Sequence, residues 1–306
     1  MNYKLPKIAV LMPTYNGKPW LIDQVDSILQ QQHVNIKLFI SDDMSADGTW
    51  EMLLSLADQE GRVKLLSRGE KFGAAGSHFY RLLRDADFSD CDFVAYADQD
   101  DIWDTSKLAQ LSELAYSTQA CGVSSNVFAF WEDGRKKLIE KSQPQRPLDF
   151  IFESAGPGCS FLMTRKLAEK VREKILNQQS VAASVALHDW LTYAVCRANN
   201  GKWVIDSKPT VNYRQHDGNV FGANKGFVAK WGRLKMLRSG WYRNEVIKIC
   251  KVCTDISKQP IFVDIADRLC RMSRMDRLWL LRHVGKFRRS LKDRVLLSIA
   301  IITNQI

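Results

Sequence analysis

The sequence predicts an α/β fold built from parallel βαβ units and followed by a basic helical extension. Over the first hundred residues, short apolar runs alternate with stretches whose apolar positions recur every three or four residues, the pattern of strands and amphipathic helices taking turns. Carboxylates and glycines cluster directly after these apolar runs, where an open sheet keeps its ligands. The charge is also divided. Residues 226–306 carry 18 Lys and Arg against 6 Asp and Glu, net +12, while residues 1–225 are net −2. With 45% hydrophobic residues and only 8 Pro and 17 Gly in 306, the composition is that of a folded globular chain and excludes the disordered and fibrous classes.

Residues 8–12 read as the first strand, ending at Pro13, and Pro19 suits the first turn of a helix bearing Leu21, Ile22, Val25, Ile28 and Leu29. Residues 36–40 form the second strand. Asp47 is the expected N-cap of a helix carrying Trp50, Leu53, Leu54 and Ala57. A third strand at 63–66, a helix at about 74–84 and a fourth strand at 93–96 follow, the last running into Asp98-Gln99-Asp100-Asp101. Beyond Leu114 the rhythm changes, with one long strand expected over 123–131 and another over 159–163. Helices are expected at 166–176 and 188–198, and short strands at 203–205 and 210–213. In the extension, Phe227, Trp231, Leu234, Leu237 and Trp241 share one helical face, with Lys230, Arg233, Lys235 and Arg238 between them.

The length suits one domain with an appendage: a body over 1–225, with halves of about 1–115 and 116–225, and an extension over 226–306. No apolar run reaches the roughly 18–20 residues that span a bilayer, and the segment before Pro6 lacks the apolar stretch of a secretory signal, so a cytoplasmic location is expected. The seven Cys are scattered and odd in number, which predicts reduced and mostly buried thiols. Cys250 and Cys253 have no second C-x-x-C to complete a zinc site, so they read as one helix face. The basic extension points to an anionic surface, a membrane or a nucleic acid.

Four consecutive strands deliver Thr14-Tyr15-Asn16, Asp42-Asp43, the glycine-containing stretch 69–76 and the Asp98–Asp101 cluster to one sheet edge. Packed carboxylates repel unless a cation neutralises them, and hard oxygen ligands suit Mg²⁺ or Mn²⁺ bridging to substrate phosphates. A single acidic pair could serve as a helix cap. Two clusters after alternate strands of one sheet outweigh that reading. Gly69, Gly73 and Gly76 lack the G-x-G-x-x-G spacing, and no G-x-x-x-x-G-K-[ST] occurs, so a Rossmann dehydrogenase and a P-loop kinase are both unsupported.

Pro13-Thr14-Tyr15-Asn16, the segment from Ser41-Asp42-Asp43 to Asp47-Gly48-Thr49, and Asp98-Gln99-Asp100-Asp101-Ile102-Trp103 resemble the ordered signatures of inverting family-two glycosyltransferases. Gly158-Cys159-Ser160-Phe161, His188-Asp189-Trp190 and the stretch Tyr213-Arg214-Gln215-His216-Asp217-Gly218-Asn219 extend the match, so that it covers about residues 7–222. The wording of these motifs is closest to the rhamnosyltransferase-like branch. Ser77 and Asp217 depart from the common pattern, which has Asn and Gly there.

The resemblance implies a GT-A nucleotide-diphospho-sugar transferase fold, with a Rossmann-like central mixed sheet ahead of the extension. It implies a donor nucleotide site at Pro13, Thr14, Tyr15, Asn16, Asp43, Lys71, Gly73, Asp98 and Gln99. Asp98, Asp100 and His216 would hold Mg²⁺ or Mn²⁺, and Asp189 would be the catalytic base. Asp101, Trp103, Gly158, Cys159, His188, Trp190 and Arg214 would form the acceptor side and closing loop, with Trp190 stacking on a sugar face. Asp189 also sits where a helix dipole favours any carboxylate. The implied activity is inverting transfer of a sugar, L-rhamnose from dTDP-rhamnose, onto a glycan or polyprenyl-linked saccharide for cell-surface polysaccharide. The implied location is the inner face of the cell membrane, reached through the C-terminal helices, and no nucleic acid is expected as a partner. The alternatives are a sugar-phosphate nucleotidyltransferase and a non-enzymatic scaffold for a membrane or nucleic acid.

Overall fold

The computed structural model describes residues 5–216 and 239–306. In chain order the body comprises β1 (Lys7–Thr14), α1 (Leu21–Leu29), β2 (Asn35–Asp42), α2 (Thr49–Gln59), β3 (Val63–Leu65), α3 (Ala75–Asp85), β4 (Phe93–Tyr96), β5 (Ile102–Trp103) and α4 (Lys107–Thr118). Then come β6 (Gly122–Ser125), β7 (Val127–Phe130), β8 (Lys136–Ile139), α5 (Asp149–Phe152), β9 (Leu162–Thr164), α6 (Arg165–Leu176), α7 (His188–Ala198), β10 (Trp203–Asp206) and β11 (Val211–Arg214). The extension contributes α8 (Trp241–Ser257), α9 (Pro260–Arg271), α10 (Arg274–Phe287) and α11 (Leu291–Ile302).

The central sheet has seven strands in the order β10-β6-β9-β4-β1-β2-β3. β1 pairs in parallel with β2 and β4, whereas β9 runs antiparallel between β4 and β6, so the sheet is mixed. A second sheet of four strands, β5-β11-β7-β8, stands beside it. Alternation along β1 divides the interior. Ile8, Val10 and Met12 face a layer containing Leu21, Val25 and Ile28 of α1 and Leu108 and Leu111 of α4, while Ala9 and Leu11 face α3, α6 and α7.

Three local expectations change. The strand expected over 123–131 is two, because the chain leaves the central sheet at Asn126. That buried amide accepts from the Lys141 and Ser142 N–H groups and donates to the Ser207 carbonyl, so the chain can turn into the second sheet without orphaning polar groups. The segment expected as a strand over 159–163 begins as a 3-10 turn, Gly158–Ser160, before β9. The N-cap of α2 is Gly48 at φ 93°, and Asp47 stabilises the same turn one residue earlier by accepting from the Thr49 N–H at 3.0 Å and its hydroxyl at 2.6 Å.

The described part of the extension packs on the body. Val246, Ile249, Cys250, Cys253, Phe262, Ile265, Leu280, Val284, Phe287 and Ile301 join the same core as Phe79 of α3 and Leu191 and Val195 of α7. Cys250 and Cys253 are thus buried on one face of α8, and all seven thiols are free. The amphipathic face read at Phe227, Trp231, Leu234 and Leu237 lies outside the described residues, as do Asp217, Gly218 and Asn219. Trp241 opens α8.

Candidate active site

The residues singled out after the strands converge at the carboxyl ends of β1, β2 and β4. The Thr14 hydroxyl donates to Asp42 Oδ1 at 3.2 Å, and Asp42 Oδ2 accepts from Arg68 Nε at 3.1 Å, so Asp42 is consumed internally. Asp43 instead reaches across to the loop before α3. Its two oxygens accept from the backbone N–H groups of Phe72 at 2.5 Å and Gly73 at 2.8 Å, which fixes the glycine turn beside exposed Lys71. Tyr15 is pinned at both backbone groups by the Gln99 amide, its N–H donating at 2.8 Å and its carbonyl accepting at 3.0 Å. Asn16, with φ 47°, accepts from the Ala46 N–H at 2.9 Å and so joins the turn after β1 to the turn after β2.

Asp98, Asp100 and Asp101 crowd the end of β4. Burial, together with repulsion from Asp100 and Asp189, pushes the Asp98 carboxyl up to about 7. Asp101 is buried, accepts from the Arg214 N–H at 3.1 Å through Oδ1, and has no partner for Oδ2 among the described residues. Asp100 Oδ2 lies 2.6 Å from His216 Nε2, and the His216 ring stacks on Trp20 at 4.1 Å between centroids. Arg214 closes this corner by donating to the Asp100 carbonyl at 2.8 Å and to Asp23 at 3.2 Å.

Donor atoms of Asp98, Asp101 and Cys159 lie within 4.8 Å of one another. Burial pushes the Cys159 thiol well above its ordinary value and so keeps it protonated, which makes this trio a floor beneath the cluster rather than a thiolate ligand set. Lys107, fully buried, donates to the Cys159 carbonyl at 2.7 Å over the Trp103 ring, and burial lowers its ammonium to about 7. Asp98, Asp100 and His216 stand at this strand end, and such oxygen and imidazole donors suit Mg²⁺ or Mn²⁺, but among the described residues the three ligating side chains whose donor atoms lie within 4.8 Å of one another are Asp98, Asp101 and Cys159. The orphaned oxygen, on Asp101, and the raised Asp98 carboxyl are what a cation at this strand end would relieve.

Asp189 lies in the first turn of α7, half-buried, with Oδ1 accepting from the Trp190 N–H at 2.6 Å. Burial raises its carboxyl to about 6, and its charge is felt at Asp98. Asp189 and the acid cluster thus share one field.

Several acceptor-side expectations are corrected. Trp190 is not available to stack on a sugar: it is buried, its indole N–H donates to the Phe150 carbonyl at 2.9 Å, and its ring lies on Tyr242 of the extension. Trp103 is likewise a core residue under Lys107. His188 is buried against Phe79 at 3.6 Å, which pushes its imidazole down to about 3, so it is neutral and shapes the site from behind. Gly158 lets this happen, since a Cβ there would sit 2.4 Å from His188 Nε2.

Sequence reasoning missed Trp20, Lys107 and Glu245. Glu245 of α8 accepts from the Ala186 N–H at 2.7 Å, two residues before His188, and no local pattern announces that contact. Trp20 beside Pro19 was visible as a large aromatic next to the first motif, a cue that was present and unused.

The family model described as "Glycosyl transferase family 2" matches residues 9–172. The chain is 37% identical over 294 residues to the dTDP-rhamnosyl transferase RfbG of Shigella flexneri, covering 96% of this chain and 99% of that one. A UDP-Glc:alpha-D-GlcNAc-diphosphoundecaprenol beta-1,3-glucosyltransferase of Escherichia coli, WfgD, is 34% identical over 101 residues, 33% of this chain and 38% of its own. Among solved structures, S. aureus TarS 1-349 in complex with UDP-GlcNAc aligns with a TM-score of 0.60 at 14% identity, covering 98% of this chain and 80% of that one.

Proposed function

The chain belongs to glycosyl transferase family 2, and on that premise we propose that it transfers L-rhamnose from dTDP-rhamnose, with inversion, to a glycan or polyprenyl-linked saccharide at the inner face of the cell membrane. That it is a glycosyltransferase of GT-A fold is the part the comparisons carry. The donor sugar is supported by identity to a dTDP-rhamnosyl transferase along nearly the whole chain, and the lipid-linked acceptor by the named substrate of the glucosyltransferase relative.

The observation that carries the mechanism is the shared field of Asp189 and the Asp98–Asp100 cluster. The acceptor hydroxyl attacks the anomeric carbon from the face opposite the diphosphate, the bond to the diphosphate breaks, and the hydroxyl proton passes to Asp189. A carboxyl raised to about 6 is ionised at neutral pH yet basic enough for this task. A divalent cation held by Asp98, Asp100 and His216 would offset charge on the departing dTDP. Asp43 and Gln99 order the loops around the nucleotide, while the Trp190 N–H holds Asp189 in place.

The test is a product assay on purified protein with dTDP-rhamnose, a saccharide acceptor and Mn²⁺ or Mg²⁺. Release of dTDP with a rhamnosylated product is expected. Turnover of nucleoside triphosphate and sugar phosphate to pyrophosphate would instead identify a nucleotidyltransferase.

A further inference from the structure

The last helix is apolar on two opposite faces. Leu297, Ala300 and Ile301 of α11 are buried in the core, whereas Leu291, Val295, Leu296, Ile299 and Ile302 are between 52% and 73% exposed. The spacing of 291, 295, 299 and 302 puts four of these on one stripe opposite the buried side. α10 packs against α11 as a hairpin, with Arg277 donating to the Ile302 carbonyl at 3.1 Å, and it exposes Met275 and Leu278 as well. Large contiguous apolar surface on a folded chain marks an interaction site.

The charge around this surface identifies its occupant. Residues 274–306 contain 8 Lys and Arg against 2 Asp and Glu. Both acids are engaged in capping their own helices: Asp276 pairs with Ser273, Arg268 and Arg271, and Asp293 with Ser290. Exposed Arg274, Arg282, Lys286 and Lys292 are left around an apolar stripe. Pairing two such faces across a homodimer would juxtapose like charges, and nucleic acid gives no role to the stripe. An anionic bilayer satisfies both halves, with apolar side chains at the acyl boundary and cations among the headgroups. No described helix is long and apolar enough to cross a membrane, which leaves this face to lie on one.

We propose that the solvent side of α11, with Met275 and Leu278 of α10, docks in the interfacial layer of an anionic lipid bilayer. The inference deepens the reading of a lipid-linked acceptor and places the membrane contact on these two helices.

The experiment is co-sedimentation of the full chain with phosphatidylcholine vesicles, with and without phosphatidylglycerol. Wild type is expected to pellet with the anionic vesicles at low salt and to weaken as salt rises. The double variant Val295→Ser/Ile299→Ser is expected to bind at least about tenfold more weakly, since two side chains no longer enter the lipid. Its melting temperature and its turnover of a soluble acceptor should match wild type, because both positions are exposed. Equal vesicle binding by wild type and variant overturns the proposal. So does a dimer in light scattering that the same substitutions dissolve, which would make the face a self-association surface. Transfer to the soluble acceptor tests the enzymatic reading separately. Vesicle binding without transfer upholds this surface and sinks only that reading.

Discussion

Arg289, in the turn between the last two helices, donates to Asp149 Oδ2 at 3.2 Å, and both side chains are fully buried. The same guanidinium donates to the Ser154 carbonyl at 2.5 Å, and Arg289 N–H donates to Glu153 at 2.7 Å. Ser154 itself donates its hydroxyl to the Gly156 carbonyl at 2.9 Å. The basic extension therefore anchors the Glu153–Ser154 segment that leads into the 3-10 turn at Gly158–Ser160. Part of its charge exists to be buried there.

Arg289→Ala should remove one partner of this buried network and leave Asp149 with only the longer 3.5 Å ion pair to Arg197, costing stability toward the lower end of about 3–5 kcal/mol. Denaturant titration measures it. A loss within about 1 kcal/mol, the scale of an exposed pair, would show that the network is solvated.

Asp189→Asn should hold donor affinity within a few fold and lower turnover by on the order of a hundredfold or more. Wild-type turnover should rise with pH through about 6, since only the ionised carboxyl accepts the proton. The folded carboxyl is raised above its ordinary 3.8, so ionising it costs folding energy. The Asn variant should therefore gain stability relative to wild type between pH 3.8 and about 6, with the full gain above that window and none below it. Melting curves across pH check the sign.

Asp100→Ala should abolish metal-dependent binding of dTDP-rhamnose while leaving the fold intact, and Asp100→Asn should be nearly as damaging because an amide is a poorer ligand for hard cations. Calorimetry with and without Mn²⁺ reads this out. Donor affinity that ignores both the metal and the substitution would move the cation site away from this strand end.

Gly158→Ala places a methyl 2.4 Å from His188 Nε2, inside contact distance. Because His188 is wedged against Phe79, the imidazole cannot retreat freely, and overpacking of about 1–3 kcal/mol is expected. Turnover should fall with little change in donor affinity. A drop in donor affinity equal to that in turnover would place Gly158 on the nucleotide side.

What the sequence determined by itself was local and periodic. β4 and α7 fall where the pattern put them, because alternation and the helical period record which face of an element is buried. The motifs after β1, β2 and β4 were legible for a related reason: a parallel sheet brings the ends of consecutive strands to one edge whatever lies between them. Tertiary structure decided the rest. Periodicity says that a face is buried and not against what, so it could not show that β9 enters antiparallel between β4 and β6, or that Trp190 packs on Tyr242 instead of facing a sugar. Nor could it separate the cations of the extension that pair inside, such as Arg289, from those left at the surface, such as Lys292. That division depends on partners more than a hundred residues away, and only folding brings them within hydrogen-bonding distance.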